Sequence, residues 1–288
     1  MVNTRTLAAG FGGLVAGSAA AVGVSWARAR HVPLSSVHGD SYIGTEWPDR
    51  RGLRGERVAG EMASLDAFAR PGFDPAGVHP DVRALYEHTA EFEMTLDATW
   101  HHPFRLGAAF AARWTSRTEQ LNLPAPGGDP KHVESDLHEL AEPAATADPR
   151  DAPRLWVRTD TDTGEGVFVA LYASTAPEST DAEPSERLVN VAVPFPGASL
   201  ATVMRLAHYG DGLELSTDCP GGGLYLHTKY GGFALPASQR FRVGPAADID
   251  SPDPPDGVER RNADVLADQR IRLAGLPLVT VRYAASRS

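Results

Sequence analysis

Between Phe92 and Trp100 the chain alternates without a break. Phe92, Met94, Leu96, Ala98 and Trp100 face one way, and Glu93, Thr95, Asp97 and Thr99 the other. A period of two marks a half-buried strand. From residue 154 onward segments of this kind follow one another at short intervals. Residues 155–159 and 166–174 flank Asp160-Thr-Asp-Thr-Gly-Glu165, a hairpin signal because Asp and Gly accept turn dihedrals. Residues 187–195 and 200–209 are separated by Pro194-Phe-Pro-Gly197, a hairpin or corner. Further strands are expected at 212–217, 223–229, 239–243, 268–273 and 278–284, with one more around 132–140. Short strands so spaced imply an antiparallel sandwich or barrel. Several are apolar on both faces, so the sheet is expected to be covered by the helices of residues 61–118 or closed on itself.

Those helices are read from a period near 3.6. Met62, Leu65 and Phe68 or Ala69 fit a short helix over 61–69, and a second begins near Pro80, a residue well tolerated in a first turn. Val82, Leu85, Tyr86 and Thr89 form its inward stripe, and Phe104, Phe110, Ala111 and Trp114 suggest a third helix over 103–118. The fold class is therefore mainly β (α+β): an antiparallel barrel or sandwich with a few N-terminal helices packed on it. The expected division is a membrane anchor or signal segment at 1–30, a linker at 31–60 that wraps onto the domain, and one β-rich globular domain at 61–288.

The N-terminal run 7–27 contains no charge and is about long enough to cross a bilayer, although glycine and alanine dilute its hydrophobicity. Gly13 and Gly17 have the spacing of a helix-packing face in lipid. Ala27-Arg28-Ala29 resembles a small-x-small cleavage site, so a secretory signal competes with a membrane anchor. For an anchor, Arg28 and Arg30 against Arg5 favour the C-terminal domain staying inside. Localisation is thus a cell membrane, through one N-terminal anchor, or export.

Composition removes some partners. The net charge is −10, and Lys131 and Lys229 are the only lysines. Non-specific nucleic-acid affinity comes from clustered cations that neutralise phosphates, so nucleic acid is not an expected partner. Cys219 is the single cysteine, which excludes an intrachain disulfide and a cysteine metal cluster.

One resemblance rests on the order of several short runs: Tyr86-Glu-His-Thr89, Trp100, Glu119-Gln-Leu-Asn-Leu-Pro124, Leu155-Trp-Val-Arg-Thr159 and Asn190-Val-Ala-Val-Pro-Phe-Pro-Gly197. The order continues through Phe233-Ala-Leu-Pro236 and Gly275-Leu-Pro-Leu-Val-Thr-Val-Arg-Tyr283. Over about residues 79–284 the chain resembles the YndJ-like family of uncharacterised membrane-associated proteins. That resemblance implies an association with membranes and brings no reaction, ligand or catalytic residue with it.

The residues themselves offer few catalytic sets. His101 and His102 point to opposite faces of a strand, so they do not serve one metal ion. No GxSxG elbow occurs, and Cys219 would need His208 or His227 beside it to act as a nucleophile. Asp248, Asp250, Asp253 and Asp256 lack the order of a calcium loop. No metal and no cofactor is expected. Polar residues within apolar strands are more telling. Trp156 and Arg158 share a strand face, Tyr172 belongs to an aromatic face of the next strand, and Asn190 and His208 interrupt two others. If these faces converge, Trp156, Arg158, Tyr172, Asn190 and His208 line a site for a lipid or other amphipathic small molecule. The leading expectation is a non-enzymatic, membrane-tethered binding module. The alternatives are an enzyme built from scattered His, Asp and Arg, and a structural or protein-partner domain with no pocket.

Overall fold

The computed structural model describes residues 23–107, 118–176 and 186–287. Thirteen strands form one antiparallel sheet: β1 (Arg54–Arg57), β2 (Phe92–Trp100), β3 (Lys131–Leu140), β4 (Asp151–Asp160), β5 (Gly166–Thr175), β6 (Leu188–Phe195), β7 (Ala198–Tyr209), β8 (Gly212–Ser216), β9 (Gly223–Thr228), β10 (Gly231–Ala234), β11 (Ala237–Pro245), β12 (Val265–Leu273) and β13 (Leu276–Arg287). Strands β2 to β8 pair in sequence order, β8 pairs β11, and β11 to β13 lead back to β2. These ten strands close an antiparallel barrel. Strand β7 serves two partners in succession, Ala198–Val203 pairing with β9 and Arg205–Tyr209 with β8. The hairpin β9–β10 therefore extends from the first half of β7 on the side that β8 takes along the second half, and Leu224 lines the cavity.

Each barrel strand sends alternate side chains inward. Phe92, Met94 and Leu96 of β2, Val133 and Leu137 of β3, and Val279 and Val281 of β13 join one buried cluster. The sheet closes on itself, one of the two expected arrangements, and its apolar outer faces are covered by the segment expected to wrap onto the domain. Val37, Ile43, Trp47 and Leu53 lie against Leu155, Val157, Val169 and Leu171, while Ala29 and Leu34 lie against Leu188, Ala201 and Val203. Residues 29–57 thus wrap the outside of β4 to β7. On the outside of β12 and β13, Leu266 and Ala284 are buried with Ala246 and packed by Val258 and Ala263, and the remaining outward positions are largely polar.

The segment between β1 and β2 plugs one end of the barrel instead of covering its side. Leu65, Phe68, Phe73, Val82 and Leu85 enter the same buried cluster as the inward barrel residues. Helix Pro80–Glu87 follows the expected stripe, with Val82, Leu85 and Tyr86 buried. The expected helix at 61–69 is only the 3-10 turn Leu65–Phe68, since Ser64 caps Asp66 N–H and the chain reverses at Pro71-Gly72, where Gly72 has φ +82°. At the opposite end, residues 105–107 begin a helix, and 108–117 of the third expected helix lie outside the described residues.

The expected anchor meets the same limit. Residues 7–22, including Gly13 and Gly17, lie outside the described residues, and residues 23–29 are helical. Among the described residues no helix is long and apolar enough to cross a membrane.

Candidate functional site

The barrel interior is not filled. A cavity of about 420 Å³ runs through it, within the range of small-molecule sites. Its wall is mostly aliphatic and aromatic; Glu61, Tyr86, Arg158 and Tyr172 gather toward the plugged end, and Thr202, Gln239 and Gln269 add polar groups elsewhere along it. Strand β4 places Trp156 and Arg158 two residues apart on the inner face, and the register sets Arg158 opposite Phe168 on β5. The Arg158 guanidinium carbon lies 4.3 Å from the Trp156 ring centre, 5.0 Å from Phe168 and 5.8 Å from Tyr283. Such cation–π contacts hold a charge without hydrogen-bonding it.

Arg158 is 4% exposed. Among the described residues its recorded hydrogen bond runs from Nη2 to the Met94 sulfur at 3.2 Å, and it has no carboxylate within ion-pair distance. Among the described residues its Nε has no hydrogen-bond partner, and neither do Trp156 Nε1, Tyr172 Oη and Tyr86 Oη. A buried donor left unsatisfied costs about 1–3 kcal/mol. Four such atoms around one cavity are therefore unusual for a filled core. Tyr283 differs, because its hydroxyl donates to Gln269 Oε1 at 2.9 Å.

Glu61 completes the floor. It comes from the plug, next to Gly60, whose carbonyl accepts from Arg154 Nη1 at 2.5 Å. Burial pushes its carboxyl up to about 8, against a smaller downward pull from Arg158. The same burial raises Tyr86 and Tyr172 well above the ordinary phenol range, with Glu61 adding to both. Tyr283 is pushed up to about 12 by burial, with Arg158 opposing.

Of the five residues singled out from the sequence, Trp156, Arg158 and Tyr172 line the cavity. Asn190 does not. Its neighbours Val189 and Val191 take the inward positions of β6, so Asn190 points outward and is fully buried under the N-terminal wrap. There its Nδ2 donates to Pro33 O at 2.7 Å, and Arg150 Nη1 donates to its backbone carbonyl at 3.0 Å. His208 shares the inward parity of Met204 but sits past the cavity, at the plugged end, with its ring 5.0 Å from Phe73. Glu61, Tyr86, Met94 and Tyr283 were not foreseen as members. Of these Tyr86 left a trace as part of the inward stripe of its helix, and Met94 as part of the alternating face of its strand.

The other groups noted in the sequence do not assemble a reaction centre. Burial pushes the Cys219 thiol up, and its charged neighbours are Arg205 and Glu186. His227 instead meets His38, at 3.4 Å, and Ser35 O. Among the described residues no three His, Cys, Asp or Glu side chains are grouped as metal ligands. The outer face of β11 to β13 gathers arginines that are scattered along the sequence, and each is engaged. Arg240 and Arg242 pair with Glu214, Arg270 with Asp268, and Arg282 with Asp97 and Asp256.

No protein-family model matches the chain, and no solved structure matches it. It is similar to the uncharacterized membrane protein YndJ of Bacillus subtilis (strain 168), with 24% identity over 216 residues. Those residues make up 73% of this chain and 38% of that protein, so the chain spans well under half of the relative's length. The match supports the resemblance to the YndJ-like family.

Proposed function

We propose that the protein is a membrane-associated β-barrel module that takes an apolar or amphipathic small molecule into its interior. The observation that carries this reading is the cavity itself, about 420 Å³ of largely apolar space with unpartnered polar atoms at one end. A core that only stabilised the fold would be filled, because voids forfeit contact energy. Binding is favoured over catalysis by the chemistry of the lining. Among the described residues it contains no histidine, cysteine, serine or lysine, and burial keeps the Tyr86 and Tyr172 hydroxyls beside Glu61 well above the ordinary phenol range. The charge-free run 7–27 and the similarity to a Bacillus membrane protein support a place at a membrane.

The test is native mass spectrometry of the full-length protein purified from its source in mild detergent. The expected result is an added mass that is absent from Ala267→Phe, a substitution that places a ring in the cavity. An apo mass for folded wild-type protein, together with an organic extract free of any stoichiometric small molecule, overturns the reading.

A further inference from the structure

We propose that the occupant of the barrel is a singly charged, carboxylate-bearing apolar molecule of the fatty-acid type, bound head first, with its carboxylate at Arg158 and its tail directed toward Trp100. This rests on the reading of the interior as a binding site and adds the ligand's charge and direction.

The first argument is the state of Arg158. A buried cation is retained where something pairs with it, and this one faces aromatic rings and a sulfur atom. The rings engage the guanidinium through their faces. The planar fork of N–H donors that grips carboxylates two at a time is then left without an oxygen acceptor. A carboxylate supplies that acceptor and cancels the charge.

The second argument is the sign of the unpartnered set. Arg158 Nε and Trp156 Nε1 can only donate, and the hydroxyls of Tyr86 and Tyr172 can donate as well. A cluster of donors selects an acceptor-rich head. A carboxylate offers about four lone-pair sites, whereas an ammonium offers none. Glu61 does not take this place. Burial keeps its carboxyl protonated at neutral pH, so Arg158 retains an uncancelled charge and Glu61 becomes one more donor. A head of charge −2 would leave an excess negative charge in the same apolar space, which disfavours a phosphate dianion.

The third argument is the gradient along the barrel. Met94, which touches Arg158, and Trp100 belong to the same strand, six residues apart, which is roughly 20 Å of extended chain. Toward Trp100 the lining becomes Leu121, Leu123, Leu273 and Leu278, with no charged residue among them. A polar head at the plugged end and an alkyl tail at the other match this order.

Isothermal titration calorimetry on the delipidated full-length protein tests the charge, with dodecanoate, dodecan-1-ol and dodecyltrimethylammonium as probes. Dodecanoate is expected to bind at least tenfold more tightly than the alcohol, and the ammonium not at all. Arg158→Gln is expected to bring dodecanoate down to the alcohol's affinity while leaving the alcohol unchanged. If that variant does not fold, Tyr172→Phe should weaken the acid alone, by three- to tenfold. Equal binding of acid and alcohol, or preference for the ammonium, overturns the carboxylate assignment and leaves interior binding standing. Failure of all three probes overturns both. Direction is read by fluorescence quenching. The Trp156→Phe variant should lose quenching by 2-bromododecanoate, and Trp100→Phe should lose quenching by 12-bromododecanoate. The opposite pattern overturns the head-first orientation.

Discussion

Replacing Arg158 with methionine should make the ligand-free protein more stable, while the same change in most buried ion pairs would damage it. In the empty barrel the guanidinium has a sulfur and three rings for company, and its Nε is unsatisfied. Removing it relieves the unsatisfied donor, about 1–3 kcal/mol, and the larger desolvation penalty of a buried ion, several kcal/mol after relaxation. Against this stands the loss of cation–π attraction, about 2 kcal/mol for a desolvated contact with one ring and less for more distant ones. Methionine has similar length, fills irregular space and packs well against aromatic rings. The balance is a gain of about 2 kcal/mol, or roughly 4–8 °C in Tm for a chain above 150 residues. The assay is thermal unfolding followed by circular dichroism, on delipidated protein with and without dodecanoate. Wild type should gain about 2.7 kcal/mol from ligand at a hundred times its Kd, and Arg158→Met, at the same concentration and with a tenfold or greater loss of affinity, about 1.4 kcal/mol or less. A loss of more than about 2 kcal/mol in the empty variant would refute the reasoning, because it would mean that the chain itself already compensates the charge.

Three further expectations follow from other parts of the molecule. The Glu61 carboxyl rises from an ordinary 4.5 to about 8 on folding, so between these values the folded state holds a proton that the unfolded state has released. Stability is therefore fully present below 4.5, falls as pH rises through that window and levels off above about 8; Glu61→Gln should flatten the curve of Tm against pH there, and an unchanged slope would count against the assignment. Asp148 and Arg150 form an ion pair with fully buried side chains, and Ser35 and the carbonyls of Leu171 and Asn190 complete it. Asp148→Ala leaves that guanidinium stranded and should cost about 3–5 kcal/mol, read as a lower urea midpoint at unchanged slope. A methyl group at Gly212 would collide with the Val243 carbonyl on the neighbouring strand, so Gly212→Ala should cost about 1–3 kcal/mol by forcing the β8–β11 ladder apart, read in the same urea experiment.

Local pattern carried much of the fold. The alternation from Phe92 to Trp100 coincides with β2 end to end, and the Asp160–Glu165 turn joins β4 to β5 as its residues demand. β1 and β10, with four residues each and sequences Arg-Gly-Glu-Arg and Gly-Gly-Phe-Ala, carry no alternation and were not foreseen. Closure was beyond reach, because it depends on β2 pairing with β13, strands nearly two hundred residues apart. The same limit shaped the site. Trp156 and Arg158 are two apart on one strand, which period alone reveals. In β6 both faces are apolar, Val189 and Val191 inward and Leu188 and Ala192 outward, so the pattern lacked the contrast that would have turned Asn190 outward. Glu61 reaches the cavity from a segment remote in sequence from β4, and nothing local marks it.

Closure of the wall also governs how the molecule meets copies of itself. A closed barrel wall has no free edges, and among the described residues the appended strands β1 and β10 stand at the ends of the pairing order, where another chain could extend them. β1 is short and carries three charges in four residues, which discourages pairing. β10 is glycine-rich and has no such defence of its own. The helix at 23–29 lies over it instead: Ser25 Oγ donates to the Ala234 carbonyl at 2.6 Å, Trp26 lies by Gly231, and Ala29 with Leu34 closes on Gly232. The end of the charge-free run thus doubles as an edge guard. A chain trimmed to begin after residue 30 would keep its barrel and expose a sticky strand, so self-association in such a preparation would reflect the missing guard and not the native assembly.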